Sequence, residues 1–448
     1  MYISFYMKAL LIAVIFGCSL AVTQAQSIDI RVEKQPSGGM LLSIDGTPTM
    51  INGMNWDYYP IGTNYEYNIW SQDDSTIKKA LETEMPLLRD MGANAVRVYT
   101  GIPARWIQYI YEEYGIYTML NHSFGRYGLL IDDDWIADTD YSSKATRDLL
   151  LAEVTALAQS YKDTPGLLFY LLGNENNYGL YWEGAETEDF PDEEAKQQAY
   201  GETRARPMYR LMNDAALAMK EVNGAIPIAI CNGDVLFIDI IAQECTDIDI
   251  YGVNAYRGPS FTDLFDVVNE KLDIPLLFTE FGADAYNTLE LQEDQEAQAS
   301  YLIQNWKEIY AHSSGIDEKG ICIGGFTFQM SDGWWKYGQT TGLDLHNNMA
   351  TWSNGGYSKD YVEGKNNMNE EWFGICSKVH TDDSRLYRVI PRAAYFTLQE
   401  VHQFNPYTAE KGPSSLQRHF KDIDVHLAKD KAKKILDSIL KKSCHPSN

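Results

Sequence analysis

Eight short apolar runs, each followed by a stretch of helical periodicity, organise this chain from about residue 45 onward. The runs lie near 49–56, 94–99, 116–122, 167–174, 226–231, 248–256, 275–280 and 321–328. Between them fall amphipathic patterns such as Ile77–Met91, Lys144–Lys162, Ala195–Val222 and Glu293–Ala311. Apolar strands alternating with helix-length connections imply a parallel sheet with crossover helices. Eight such units close into a (β/α)8 barrel, the TIM barrel of the α/β class. Its interior is packed, and its chemistry sits at the C-terminal ends of the strands. A single domain is expected over residues 26–408. Residues 27–48 read as a short hairpin closing the barrel bottom, with Pro36-Ser37-Gly38-Gly39 as its turn, and Pro391–Phe404 as the closing helix. Two long loops, Asn176–Ala195 and Gly338–Ser384, are rich in aromatic residues, and loops of that length in a compact domain usually carry function.

The ends of the chain differ from this core. Residues 1–25 read as a signal peptide: Lys8 precedes the apolar run Ala9–Ala21, which is too short to span a bilayer, and Thr23-Gln24-Ala25 offers a cleavage site. Secretion, to a periplasmic or extracellular space, is therefore expected. The alternative is a lipid anchor at Cys18 in Ile15-Phe16-Gly17-Cys18, the one route by which a membrane would become a partner. Residues 409–448 hold an excess of basic residues and read as a basic tail, either helical around Ile435, Leu436, Ile439 and Leu440 or disordered. The net charge of -26 argues against nucleic acid as a partner and disfavours steering of an anionic glycan. Five cysteines remain after residue 25. Cys231 and Cys322 read as small core residues, and Cys245 with Cys376 as a candidate disulfide. No Cys/His spacing suggests zinc, and Asp132-Asp133-Asp134 lacks an EF-hand pattern, so it reads as a solvated loop. No metal and no cofactor are expected.

Two segments carry the chemistry: Leu172-Gly-Asn-Glu-Asn-Asn177 and Phe278-Thr-Glu-Phe-Gly-Ala-Asp-Ala285. Each starts in an apolar strand and delivers a glutamate, Glu175 or Glu280, where strand four or strand seven ends. Those strands form opposite walls of an eight-stranded barrel, so the side chains can converge across its mouth. Retaining hydrolysis of a glycosidic bond needs two carboxyl groups about 5–5.5 Å apart, one as proton donor and one as nucleophile. The aromatic residues that follow strand ends suit a saccharide, because sugar C–H faces stack on aromatic planes. They are Trp56, Tyr58 and Tyr59 after strand one, Tyr178, Tyr181 and Trp182 after strand four, and Trp334, Trp335 and Tyr337 after strand eight. His122, at the end of strand three, is a further candidate substrate contact, with a structural histidine as the equal alternative.

The motifs in order resemble clan A of the glycoside hydrolases, most closely the catalytic barrel of glycoside hydrolase family 2. Gly173-Asn174-Glu175 is similar to that family's acid/base motif, and Thr279-Glu280-Phe281-Gly282-Ala283-Asp284 to its nucleophile motif. Asn94-Ala95-Val96-Arg97, Tyr114-Gly115-Ile116-Tyr117 and Gly324-Gly325-Phe326 with Asp332 beyond resemble its strand-two, strand-three and strand-eight signatures. The resemblance implies Glu175 as acid/base and Glu280 as nucleophile. It also implies Asn174 as a hydrogen-bond partner of the sugar 2-hydroxyl, Arg97 as the cation that keeps the nucleophile ionised, and Tyr256 as a hydroxyl donor to Glu280.

The departures from the family also bear on function. Sandwich domains usually precede the family's barrel, while about 20 residues follow the signal here. An acidic pair late in strand three is replaced by Leu120-Asn121, and the strand-eight tryptophans fall at Phe328 and Met330. A more open cleft is then expected. That favours a secreted retaining β-glycoside hydrolase acting internally on a neutral β-glucan or β-mannan. An exo-acting β-galactosidase or β-mannosidase, a transglycosylase and a glycan-binding protein without catalysis stay open as alternatives.

Overall fold

The computed structural model describes residues 28–180, 194–408 and 412–444. The expected signal segment, Cys18, Tyr181 and Trp182 lie outside the described residues. Eight parallel strands close into a barrel. They are β1 (Ile51–Asn55), β2 (Ala95–Tyr99), β3 (Tyr117–His122), β4 (Leu167–Leu172), β5 (Ile228–Gly233), β6 (Ile250–Asn254), β7 (Leu276–Phe281) and β8 (Cys322–Thr327). The surrounding helices include α1 (Asp74–Met91), α2 (Ala104–Tyr114), α3 (Lys144–Ser160), α4 (Glu194–Asn223), α5 (Ile238–Glu244), α6 (Leu264–Lys271), α7 (Gln295–Ala311) and α8 (Ala393–Val401).

Strand alternation sorts the side chains. One set, including Ile51, Ala95, Met119, Phe169, Ala229, Ile250, Leu277 and Ile323, packs inside the barrel. The other, including Met54, Val96, Leu120, Ile230, Val253 and Phe278, meets the helices. The hairpin of Ile30–Lys34 and Met40–Ile44 joins the inside set through Ile30, Leu42 and Ile44, so it seals the end of the barrel away from the strand C-termini. Toward those C-termini the inward positions turn polar: Asn55, Arg97, Asn121, Asn254 and Thr279, with Cys231 among them.

The connection after β8 is more ordered than a long loop. It contains an antiparallel pair, Cys376–His380 with Tyr387–Pro391, anchored to the barrel by a bridge between Ser331 and Cys376. The cysteine expectations divide. Cys245 and Cys376 are both free and buried, so the candidate disulfide does not form, because each sits in a different packed environment. Cys322 is a core residue as expected. Asp132 and Asp133 form the turn of a small hairpin, both with left-handed backbone (φ 52° and 67°), which matches the solvated-loop reading.

The basic tail forms two helices, α9 (Pro413–Lys421) and α10 (Val425–Cys444). They pack on α7 and α8. Leu416, Phe420, Ala428 and Ala432 are buried there, and the Lys429 ammonium lies 2.8 Å from the Glu296 carboxylate. Among the described residues no helix is long and apolar enough to cross a membrane.

Beneath the β8 loop, Arg392 donates to both carboxylate oxygens of Asp332 at 2.7 Å, with both side chains almost fully buried. Arg392 Nε also donates to Glu293 at 2.6 Å, so removing Asp332 leaves the buried guanidinium one carboxylate partner and two unpaired donor directions, which costs about 1–3 kcal/mol. Asp332→Ala should therefore lower unfolding stability by about that amount in a urea titration. A loss below about 1 kcal/mol would show that the pair does not hold this loop to the barrel.

Candidate active site

The turn after β4 is built from its asparagines. Gly173 takes a left-handed backbone (φ 85°), and a Cβ there would lie 2.7 Å from the Asn176 side-chain oxygen. Asn176 then pins the turn: its oxygen accepts the Asn174 N–H at 2.7 Å, and its amide donates to the Phe124 carbonyl and the Tyr141 hydroxyl. Asn177 exchanges two hydrogen bonds with Gly233 on β5. So pinned, Asn174 and Glu175 face the barrel mouth, and Glu175 itself adopts φ 57°, a backbone region sparsely used by residues other than glycine.

Glu280 reaches the same mouth by a different device. Strict alternation along β7 would put Thr279 inward and Glu280 outward. The register against β6 slips at this point: Val253 pairs with Phe278, but Asn254 pairs with Glu280. The extra residue is a β-bulge, which re-aims the side chain that follows it. Gly282 then lets β7 pass close to β8, since a Cβ there would lie 2.2 Å from the Phe328 carbonyl oxygen.

One hydrogen-bond network joins the two carboxylates. Arg97 Nη1 donates to Glu280 Oε1 at 2.5 Å, and the Tyr256 hydroxyl donates to Glu280 Oε2 at 3.1 Å. Arg97 Nη2 donates to Asn174 Oδ1 at 2.8 Å, and Asn254 Nδ2 lies 3.2 Å from that same oxygen. Asn254 Nδ2 also donates to Glu175 Oε1 at 3.1 Å. The guanidinium is oriented from below by Asn121 Oδ1, which accepts from Nε and Nη2 at 2.9 and 2.5 Å, and by the Thr279 carbonyl at 3.2 Å. Cys231 belongs to this polar floor as well, its Sγ 3.2 Å from Asn254 Oδ1.

The two carboxylates have unlike surroundings. The charge of Glu280 is matched by Arg97 and a phenol hydroxyl. The Glu175 carboxyl is pushed up to about 7, first by burial and then by repulsion from Glu280; the Asn254 amide, Arg126 and Arg97 oppose this only in part. The hydrogen bonds join the two groups through Asn254, Asn174 and Arg97. A carboxyl that keeps its proton near neutrality beside one that is ion-paired supplies both an acid and an anionic nucleophile.

The other sequence candidates separate. His122 points away: Asn121 faces the barrel, so its neighbour faces the helices, where His122 Nδ1 accepts the Phe124 N–H and Nε2 approaches Glu153 of α3 at 3.4 Å. Trp56 is 3% exposed, donates its indole N–H to Glu84 at 2.7 Å and packs on Tyr58 and Trp70. It is part of the barrel wall, not a face open to a ligand. Trp334 is packed within its own loop, stacked on His346, which stacks in turn on Trp372. Trp335 is on the mouth side, meeting Tyr59 edge-on at 5.2 Å and Tyr65 at 5.6 Å. Sequence reasoning missed Asn254, Asn121, Tyr127 and Tyr99. Alternation along β3 would have found Asn121, and Asn254 stands two positions before the Tyr256 that was found. Tyr127 accepts the Asn174 amide at 2.8 Å, and the Tyr99 hydroxyl lies 3.4 Å from Arg97 Nη2. Among the described residues no group of three His, Cys, Asp or Glu could hold a metal ion.

No family model and no curated protein matches the chain. Solved structures do match. A β-galacturonidase of glycoside hydrolase family 2 from Eisenbergiella tayi, bound to galacturonate, superposes with a TM-score of 0.50 at 15% identity, over 85% of this chain and 55% of its own. β-Glucuronidase 2 of Bacteroides uniformis, covalently bound to cyclophellitol-6-carboxylate aziridine, superposes with a TM-score of 0.52 at 12% identity, over 84% of this chain and 37% of its own. What these structures share with this chain is the fold, a (β/α)8 barrel. The chain thus spans about half or less of the length of these structures. At such identities the likeness concerns the barrel alone, so the chemistry of this barrel rests on its own side chains.

Proposed function

We propose that this protein is a retaining β-glycoside hydrolase with Glu280 as nucleophile and Glu175 as acid/base. One observation carries the reading: two carboxylates from opposite barrel walls enter a single hydrogen-bond network, one ion-paired and the other raised toward neutrality. In the first step Glu280 attacks the anomeric carbon while Glu175 gives its proton to the departing glycosidic oxygen. The products are a glycosyl ester on Glu280 and a free alcohol. In the second step Glu175, now ionised, takes a proton from water as that water attacks the anomeric carbon and releases Glu280. Asn174, held by Arg97 and Tyr127, is the candidate partner for the sugar hydroxyl beside the reacting carbon.

A neutral β-glucan or β-mannan fits the charges around the pair. The two neighbouring structures are named for uronides, and a uronate needs a cation of its own. Arg97 is spent on Glu280 and two asparagines, and Arg126 lies over the Tyr127 ring at 5.6 Å. Lys378 is 4% exposed, donates to the Tyr59 carbonyl and feels the charges of Asp57 and Glu84. Internal cleavage is supported by the exposed aromatic residues beside the mouth. A screen of β-glucans, β-mannans and 4-nitrophenyl β-glycosides, uronides included, tests this. Shortened oligosaccharides with the β-anomer formed first support it; turnover of the glucuronide or galacturonide alone would displace the neutral substrate.

A pH effect follows from the Asn254 contact. Its amide stabilises ionised Glu175 and so lowers that group's pKa. The acid must be protonated to act, so activity falls as pH rises through about 7. Asn254→Ala removes the stabilising donor and should move this alkaline limb of kcat/KM to higher pH. A limb that stays in place or moves down would detach Glu175 from the proton-donor role.

A further inference from the structure

Three phenol rings from three different loops lie nearly parallel beside the mouth. Tyr65 follows β1, Tyr127 follows β3 and Tyr337 follows β8. Tyr337 stacks on Tyr65 with centroids 5.6 Å apart and planes 17° apart, and on Tyr127 at 6.2 Å and 23°. Trp335 extends the group against Tyr65. Two of the rings are wet, Tyr337 being 53% exposed and Tyr65 42% exposed, while Tyr127 is half-buried beneath them. Scattered surface tyrosines are ordinary, but a contiguous exposed aromatic patch marks a binding surface. This patch is also tied to the chemistry, because Tyr127 accepts the amide of Asn174, and Asn174 shares Arg97 with Glu280.

We infer that Tyr337 and Tyr65, backed by Tyr127, form a binding subsite for a second neutral pyranose, joined to the reacting sugar on the side away from the leaving group. This rests on the proposed glycosidase reading. The direction follows from the strands. The patch hangs over β8, β1 and β3, the strands around the Arg97 strand β2, and its hydrogen bonds lead to Asn174 and Glu280. The Glu175 carboxyl, which must face the leaving group, accepts from Asn254 on β6, whose amide meets the patch's network at Asn174. The ligand class follows from the chemistry. An aromatic face is electron-rich and attracts the weakly positive axial C–H groups of a pyranose with equatorial substituents. The exposed phenols themselves carry no charge, the neighbouring cation being Arg126 over the Tyr127 ring at 5.6 Å, and the hydroxyls can serve the sugar's rim. A subsite here selects substrates longer than one sugar.

The test compares matched 4-nitrophenyl β-glycosides of a monosaccharide and of its β-1,4-linked disaccharide, in the glucose and mannose series. The aryl group fills the leaving side, so the added sugar reports only the proposed subsite. The wild-type enzyme should favour the disaccharide in kcat/KM by at least about tenfold. Tyr337→Ala and Tyr65→Ala should each remove most of that advantage and leave the monosaccharide rate within about twofold, while Tyr337→Phe should retain it. An unchanged advantage in both alanine variants overturns the inference, as does an equal fall on both substrates. If the wild-type enzyme cleaves no glycoside, the glycosidase reading fails by itself. The subsite is then judged by fluorescence titration with cellotetraose and mannotetraose: binding weakened about tenfold by Tyr337→Ala sustains it, and binding that is absent or unaltered overturns it.

Discussion

Glu280→Gln is expected to abolish turnover, lowering kcat by about 10⁴-fold or more, because an amide cannot form the glycosyl ester on which the proposed second step depends. The fold should survive. Glutamine is isosteric, its oxygen can still accept from Arg97 Nη1, and Arg97 keeps Asn121, Asn174 and the Thr279 carbonyl as partners. A second signature separates this loss from mere damage. Repulsion from Glu280 is one of the two causes that raise the Glu175 carboxyl to about 7, so removing the charge should let Glu175 titrate lower. Carbon-detected NMR of the labelled carboxyls reads that shift directly. Residual activity near wild type, or a Glu175 titration unmoved by the substitution, would remove Glu280 from the centre of the reaction.

The parts of this molecule that were legible in the sequence are those encoded by local pattern. The eight barrel strands lie within a few residues of the eight apolar runs, because a strand buried on both faces must be apolar along its length. Glu175, Glu280, Arg97, Asn174 and Tyr256 could be named because each sits in a short motif at a strand end, and the structure gathers all five in one network. What could not be read depends on register or on distant loops. His122 and Asn121 are adjacent in sequence, and only the facing of β3 decides that Asn121 meets Arg97 while His122 meets α3. The bulge that turns Glu280 inward leaves no local mark beyond the motif itself. Trp56 looked like a sugar platform because it follows a strand, but Glu84 on α1 claims its indole. Tyr65, Tyr127 and Tyr337 are separated by 62 and 210 positions, so nothing in local periodicity could have joined them.

Removing Glu175, the proposed acid/base, should produce a loss that depends on the leaving group. Glu175→Ala should slow hydrolysis of an unactivated β-glycoside by about 10²–10⁴-fold, the usual contribution of a positioned proton donor. With a 2,4-dinitrophenyl glycoside, whose leaving group needs little protonation, the first step should persist and the glycosyl ester on Glu280 should accumulate, because no base remains to activate water. Azide needs no deprotonation, so it should restore turnover and yield the β-glycosyl azide, retention being the sum of two inversions at one carbon. The alkaline limb near pH 7 should vanish from the variant, since the group that must hold a proton below that pH is gone. These outcomes separate the roles of the two acids: Glu280 decides whether the ester forms, and Glu175 decides how fast protons move around it. An α-glycosyl azide would mean a single displacement, with azide entering opposite the departing group and Glu280 serving as something other than the nucleophile. Absence of rescue together with an intact alkaline limb would mean that the proton comes from another residue, and the network joining Asn254 to Glu175 would then need a different purpose.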